Sequence, residues 1–538
     1  KNLSLNFVAS GKKTYQDLYN EVVSIANHLL HLGVKKGDKV AILSANMPNW
    51  GITQFAIANI GAIAVPVLPG FCSTELQNIL EHAEVKVIFV SRLLAKCLEG
   101  VKTPFLKHKI LINNFSTIPE GCYQPEELDK LVPDISLNNT TPLPEVSIEE
   151  EDIASIIYTS GTTGFSKGVV LTHKNLVWDA RQCHTIQPVD ETYRFLSILP
   201  MAHTYENTLG LLLPLMYGAQ VYYLDRVPTP KLLVPAMQKI RPTVVLSVPL
   251  IIEKIYKSQV LPKFTSSKLM SKLYQFAPAR KLFNRLAGKK LMETFGGELK
   301  FFGIGGSKLD GTVEQFLREA KFPYAIGYGL TETAPMAAGS NPSQTFLQGV
   351  GPVMEGVQIK INDPDNSGQG EIWIKGPNVM KGYYKRPELT AETFTEDGWF
   401  KTGDLGSFDK KNRLAIRGRI KTMILGASGE NIYPEEIESI INNFRFVNES
   451  FVVENSGKLV AMVHFNREKL EKQYQRLKDQ AGNYKEKIND YIEEQKQELR
   501  DYVNARVNNF SKLQLVLVQH EPFEKTPTHK IKRFLYCK

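Results

Sequence analysis

The strongest constraint on this chain is its alternation of short, β-rich apolar runs with helix-patterned stretches. Residues 39–43, 85–90, 153–158, 220–224, 243–248 and 299–304 read as strands, with helical patterns between them. Such alternation predicts parallel sheets covered by helices. Ligands of open α/β sheets bind beyond the carboxyl ends of strands, so chemistry is to be sought in the loops after these runs. From residue 357 the texture changes to short strands separated by Gly, Asp and Asn turns, through 370–375 and 414–417, which predicts a smaller β-rich subdomain. A boundary follows near residues 419–422. Beyond a compact αβ unit, residues 467–508 carry charges on all sides of a helical pattern, which predicts a solvated helix or helical hairpin.

At 538 residues and 43% hydrophobic content the chain exceeds one ordinary domain and can bury large cores. The most apolar stretch, residues 50–71, contains Thr53, Gln54 and Asn59 and is interrupted by Gly61 and two prolines, so a buried helix, a turn and a strand are expected instead of a membrane span. The formal charge of +9 favours anionic partners such as nucleotides, CoA or an acidic lipid surface. Its basic residues are spread along the chain without zinc-finger spacing or an RNP-like run, so nucleic acid is not expected. Cys72, Cys97, Cys122, Cys183 and Cys537 are odd in number, widely spaced and form no CxxC pair, which suggests neither a disulfide framework nor a zinc site and fits a reducing cytoplasm. The sequence opens at Lys1 without a signal-peptide pattern in the residues given.

The strand at 153–158 runs directly into Thr159-Ser-Gly-Thr-Thr-Gly-Phe-Ser-Lys-Gly168, a loop with three glycines, five hydroxyls and one lysine. Glycines let backbone N–H groups approach an anion, and the hydroxyls with Lys167 add donors to phosphate oxygens. The Walker spacing is absent and a strand follows, which disfavours a P-loop fold. Read alone, the loop could instead be a flexible surface turn, the less favoured alternative.

The whole string YTSGTTGFSKG followed by VVLTH resembles the signature loop of the adenylate-forming superfamily, which includes acyl-CoA synthetases, luciferases and peptide synthetase adenylation domains. Further matches follow in the family's order. Pro200-Met-Ala-His203 resembles the segment whose histidine lines the acyl pocket. Gly305-Gly306-Ser307 resembles the segment lying against adenine, and Gly327-Tyr328-Gly329-Leu-Thr331-Glu332 resembles the most recognisable motif. Trp399 to Asp404 matches the TGD motif. Arg419 would assist at the same ribose, and Lys421 falls at the hinge. Lys525-Thr-Pro-Thr-His-Lys530 is similar to the C-terminal motif whose lysine reaches the forming acyl-phosphate, although His529 stands where the family has glycine. Lys532 and Arg533 are nearby rivals for that role.

The resemblance implies an α/β fold with a large N-terminal adenylation domain, residues 1–418, of two parallel-rich sheets plus the β-rich subdomain at about 350–418. A small mobile C-terminal α+β domain, 419–538, would follow. It implies ATP, Mg²⁺ and CoA as cofactors and co-substrates. Thr159, Ser160, Gly161, Thr162, Thr163, Gly164 and Lys167 would cradle phosphates, with Gly305, Gly306, Ser307, Gly327, Tyr328, Gly329, Asp404 and Arg419 completing the nucleotide site. A tyrosine ring such as Tyr328 can stack on adenine, the two oxygens of Asp404 suit a pair of ribose hydroxyls, and Glu332 is a hard ligand for Mg²⁺, with Thr159 near the same metal. Thr331, Glu332, His203 and Lys530 are the expected catalytic set. No side-chain nucleophile is needed, because the substrate carboxylate attacks the α-phosphorus.

Similarity at 241–256 and the basic helical insertion before Gly296 look like the bacterial long-chain fatty acyl-CoA synthetases. A fatty acyl tunnel should be apolar, and 209–215 with 246–252 could line it, a plain core being the equal alternative for each residue. The loop at 426–438 resembles the one brought into the site when a thiol attacks. The expected partners are a fatty acid, ATP and CoA; peripheral contact with an anionic membrane surface and a homodimer are left open. An acyl-AMP or carrier-protein ligase, and a non-catalytic nucleotide- or lipid-binding protein on the same fold, are the rival readings.

Overall fold

The computed structural model describes residues 2–9, 12–71, 73–137, 141–159, 166–226, 228–265, 267–425, 431–455, 457–471, 484–526 and 530–536. The predicted strands fall into two parallel-rich sheets. In the first, eight strands lie in the order Gly382–Tyr383, Lys167–Thr172, Ile153–Thr159, Ile63–Val67, Lys39–Leu43, Val85–Val90, His108–Leu111 and Ser116–Thr117. Its five central strands run parallel and the strands flanking them are antiparallel. The second sheet orders Leu5–Phe7, Gln220–Tyr223, Arg194–Ser197, Val244–Ser247, Phe301–Ile304, Tyr324–Gly329 and Met336–Gly339, and only its last pairing is antiparallel. Val40, Ala41 and Ile42 are buried one after another, as are Val244, Val245 and Leu246. Continuous burial of this kind is what a sheet covered on both faces requires.

Residues 50–71 resolve as expected into the helix Pro48–Asn59, a turn at Gly61 and the fully buried strand Ile63–Val67. Proline at the first helical turn starts this helix without sacrificing a hydrogen bond. Among the described residues no helix is long and apolar enough to cross a membrane. A third, antiparallel sheet of Gln358–Asn362, Gly370–Lys375, Phe400–Phe408 and Leu414–Arg419 follows, in the region where the sequence turns to short strands and Gly-rich turns.

The chain leaves this sheet through a single turn, Ile420–Thr422, and builds a separate hydrophobic core from Ile432 onward. That core lies between the sheet Val447–Asn455, Lys458–Phe465 and Leu515–Val518 and the helices Pro434–Asn442 and Tyr484–Asn504. The charged segment differs from its expected solvated form. Helix Tyr484–Asn504 buries Tyr491, Gln495, Leu499 and Val503, spaced by four residues, against this core. Few as they are, these side chains all fall on one face, so a sparse pattern suffices for docking. Residues 472–483 of that segment lie outside the described residues.

Helix Ala277–Thr294 crosses helix Gly311–Glu319 close to Gly288, where an added Cβ would come within 2.6 Å of the Ala320 carbonyl oxygen and 2.7 Å of its Cβ. The backbone on that side cannot retreat without moving the helix. Gly288→Val is expected to destabilise the protein by about 1–3 kcal/mol, read as a lower denaturant midpoint with unchanged slope.

Candidate active site

The sequence-predicted residues gather where strands of the second sheet end, facing the edge of the first. Strands Phe301–Ile304 and Tyr324–Gly329 are parallel neighbours, with Ile304 opposite Ile326, so Gly305-Gly306-Ser307 and Gly327-Tyr328-Gly329 emerge side by side. Gly306 has φ of +86°, which frees the loop to turn away from the strand. Gly329 has a second, purely structural cause: a Cβ there would lie 1.6 Å from the Pro335 carbonyl oxygen, and at Gly327 one would meet Met336 Cε at 2.7 Å. The returning strand Met336–Gly339 therefore accounts for both glycines flanking Tyr328.

Tyr328 is buried and its hydroxyl donates to Asp404 Oδ2 at 2.9 Å. The other oxygen, Oδ1, receives Arg419 Nε at 2.8 Å. Burial pushes the Asp404 carboxyl up, and Arg419 is the strongest of the groups opposing that shift. The same pairing raises Arg419, and burial raises Tyr328, which therefore stays a donor. A carboxylate oxygen accepts more than one hydrogen bond, so both oxygens keep capacity for a ligand's hydroxyls.

Glu332 follows in the short turn Thr331–Thr333, with Thr331 half-buried beside it. Glu332 Oε1 accepts from the Tyr383 hydroxyl at 2.9 Å. The Tyr383 ring in turn lies under Lys167, whose ammonium is 5.1 Å from the ring centroid, a cation–π arrangement. Lys167 opens the strand opposite Thr159, its register partner, so the two ends of the signature loop are held together. Burial and the nearby Lys421 push Lys167 below the ordinary lysine range, while Glu332 opposes this. Lys421 itself sits exposed in the Ile420–Thr422 turn. Ser160, Gly161, Thr162, Thr163 and Gly164 lie outside the described residues, as do residues 426–430 and 527–529.

Of the three C-terminal cations, Lys530 is the one that faces this cleft. Its surface remains open to water, yet surrounding protein and Arg419 push it below the usual lysine range, against the opposing pull of Asp404 and Glu332. The ends of its loop are fixed by the Thr526 N–H donating to the Lys530 carbonyl at 2.8 Å. Lys532 instead pairs with Glu524 at 2.8 Å, and Arg533 with Glu438 at 2.6 Å. At the rim, Lys308 reaches Glu436 of the second core at 3.0 Å.

His203 caps a short helix, its Nδ1 accepting the Tyr205 N–H at 3.2 Å. Burial, then Lys530, push its imidazole down to about 4, so it is neutral near pH 7. The Tyr205 ring lies over Gly305, where a Cβ would approach it to 3.3 Å. Behind it opens a narrow apolar cavity of about 50 Å³. Leu209, Leu213 and Leu246 line it, as the sequence suggests, whereas Leu211 and Ile252 belong to the core and Leu250 is exposed. Tyr205, Met336 and Tyr383 were not distinguished by the sequence. The one available signal was indirect, in glycines at 303, 305, 327 and 339 that make room for the first two.

The matching family model is that of the AMP-binding enzymes, and it covers residues 4–384. The chain belongs to the AMP-binding enzyme family. This AMP-binding enzyme is 26% identical to fatty acyl-CoA synthetase A of Dictyostelium discoideum, over 98% of this chain and 85% of that one. It is 30% identical to the long-chain-fatty-acid–CoA ligase heimdall of Drosophila melanogaster, over 80% of this chain and 67% of that one. Its fold superposes on ATP-bound MatB from Rhodopseudomonas palustris with a TM-score of 0.76 at 22% identity, covering 99% of this chain and 95% of that chain.

The helix that begins after His203 also buries Glu206, whose Oε2 has no hydrogen-bond partner among the described residues. Burial pushes this carboxyl up from 4.5 to about 8. A folded-state value above the unfolded one means that the stabilising effect of the bound proton is complete below about 4.5 and is lost as pH rises through about 8. Glu206→Gln is expected to raise the melting temperature at pH 8 relative to the parent, with a much smaller gain at pH 5, measured by thermal unfolding across that range.

Proposed function

We propose that this AMP-binding enzyme activates a long-chain fatty acid with ATP and passes the acyl group to CoA. In the first step a carboxylate oxygen of the acid bonds to the α-phosphorus and pyrophosphate leaves. In the second the CoA sulfur bonds to the acyl carbon and AMP leaves, the thiol proton passing to solvent. The observation that carries this reading is the excess of cations in one cleft: Lys167, Lys421, Arg419 and Lys530 face Asp404 and Glu332, and the two lysines Lys167 and Lys530 are depressed partly by their cationic neighbours. Mutual repulsion of this kind is relieved by a polyanion, and a nucleoside triphosphate supplies one.

In this reading Asp404 accepts from the ribose hydroxyls while Arg419 favours its ionised form, and Tyr328 with Gly305-Gly306-Ser307 borders the adenine. Thr159, Lys167 and Thr331 donate to phosphate oxygens. A divalent ion fits Glu332, because one oxygen is steadied by Tyr383 and the other is free of that bond, and Mg²⁺ characteristically takes one or two carboxylates beside phosphate. Mg²⁺ would offset charge on the phosphates. Lys530 neutralises charge developing at the α-phosphorus, and neutral His203 borders the acyl carboxylate without adding a competing charge. The apolar cavity behind Tyr205 receives the acyl chain. The C-terminal unit turns at Lys421 between the two steps, withdrawing Lys530 and admitting the thiol.

Relatives named long-chain-fatty-acid–CoA ligases support the acid and the acceptor. A carrier-protein thiol is a second reading for the acceptor alone, favoured by 28% identity to a chloroplastic long-chain-fatty-acid–acyl-carrier-protein ligase of Arabidopsis thaliana over 97% of this chain. We place the enzyme in the cytoplasm, in peripheral contact with an anionic membrane where its substrate partitions.

Pyrophosphate release measured across acids of increasing chain length, with CoA or a phosphopantetheinylated carrier protein as acceptor, tests both readings. Lys530→Ala should abolish acid-dependent pyrophosphate release while sparing the reaction of supplied acyl-AMP with CoA. Equal loss of both half-reactions contradicts the role given to Lys530. Because that lysine sits below its ordinary range, the first half-reaction should also decline with rising pH sooner than titration of a free lysine would predict.

A further inference from the structure

Two helices before Gly296 present a surface that neither the cleft nor the apolar cavity uses. Helix Lys268–Gln275 and helix Ala277–Thr294 turn their inner faces to one small aromatic cluster. There the Tyr274 ring stacks on Phe264 at 4.8 Å, Phe283 lies 5.7 Å from the Phe264 ring, and the Tyr274 hydroxyl donates to Asn284 at 2.9 Å.

Their outer faces are apolar where a helix on the surface of a globular protein should be polar. Leu269, Leu273 and Phe276 recur at i, i+4 and i+7 and are 69%, 39% and 63% exposed. On the second helix Leu282 and Leu286, at i and i+4, are 58% and 61% exposed. Scattered exposed leucines need no cause, but stripes on two successive helices do. Around them stand Lys272, Lys281, Arg285, Lys289 and Lys290, all exposed and none in an ion pair among the described residues. Across residues 268–294 the sequence holds seven Lys or Arg against the single acid Glu293.

We propose that this face docks on an anionic lipid bilayer, with the leucines and Phe276 at the headgroup–acyl boundary and the basic side chains on lipid phosphates. An apolar stripe bordered by unpaired cations is the composition that such an interface selects. A second copy of the chain is a poor occupant, because a two-fold interface would set this basic face against itself. The inference rests on the peripheral membrane contact proposed above and names the surface that makes it. Fatty acids dissolve in bilayers, so docking here would hold the enzyme where its substrate concentrates.

The test is co-sedimentation of the full chain with vesicles of phosphatidylcholine alone and of phosphatidylcholine with phosphatidylglycerol in equal parts. The unaltered enzyme should bind the anionic vesicles. Two variants, Leu269→Glu with Phe276→Glu and Leu286→Glu, and Lys281→Glu with Arg285→Glu and Lys289→Glu, should each lose at least about tenfold in binding. Both should keep pyrophosphate release with a short water-soluble acid, which checks that they fold. Failure of the unaltered enzyme to bind either vesicle overturns the peripheral reading and this surface with it. Undiminished binding by either variant overturns the surface alone. A change in sedimentation-velocity mass with unchanged vesicle binding assigns the face to a second copy instead.

Discussion

Everything in the cleft depends on one buried carboxylate shared between parts of the chain far apart in sequence. Asp404 and its register partner Arg419 belong to the antiparallel third sheet, Arg419 as the last residue before the turn into the second core, and Tyr328 belongs to the second sheet. Burial alone would favour a neutral aspartic acid, but Arg419 and Tyr328 oppose this, and Lys530 adds to them from the other side of the turn. A charge held in this way must stay paired, since removing Arg419 would leave the buried Asp404 carboxylate uncompensated. The second and third sheets are thus tied together at this carboxylate, and in the proposed function the geometry of the nucleotide site is inseparable from their packing.

The cations are arranged differently from ordinary surface charges. Surface lysines usually find a carboxylate or open water, as Lys532 does with Glu524. In the cleft, Lys167 and Lys421 repel each other, as do Lys530 and Arg419. Such an arrangement is electrostatically unfavourable in itself, and in the proposed function a phosphate chain would relieve it. His203 fits the same logic: burial keeps it neutral, and in the proposed function a protonated imidazole there would hold the acid's carboxylate too firmly in its ground state.

Much of this was legible in the sequence because the determinants are local. The strand runs at 39–43 and 85–90 have the same bounds in the structure, since an unbroken apolar run between turn residues leaves little choice of register. The motif glycines were legible too, although for an incomplete reason: Gly329 is required by the approach of the Pro335 carbonyl whether or not a nucleotide binds. What escaped was relational. Nothing around Tyr383 announces that its hydroxyl will meet Glu332, and the buried face of helix Tyr484–Asn504 becomes visible only once its sparse apolar residues are placed against a second core. Composition likewise hinted at a lipid surface without indicating that the exposed leucines would fall on two consecutive helices.

The phenol of Tyr383 has one further consequence. Its strand pairs with the first sheet while its hydroxyl reaches Glu332, beyond the end of a strand in the second, and Lys167 lies over its face. One aromatic side chain thus holds both an ammonium over its face and a carboxylate at its hydroxyl. The π face anchors the ammonium and the edge hydroxyl anchors the carboxylate, so a strand of the first sheet fixes the positions of both charges at the seam between the sheets.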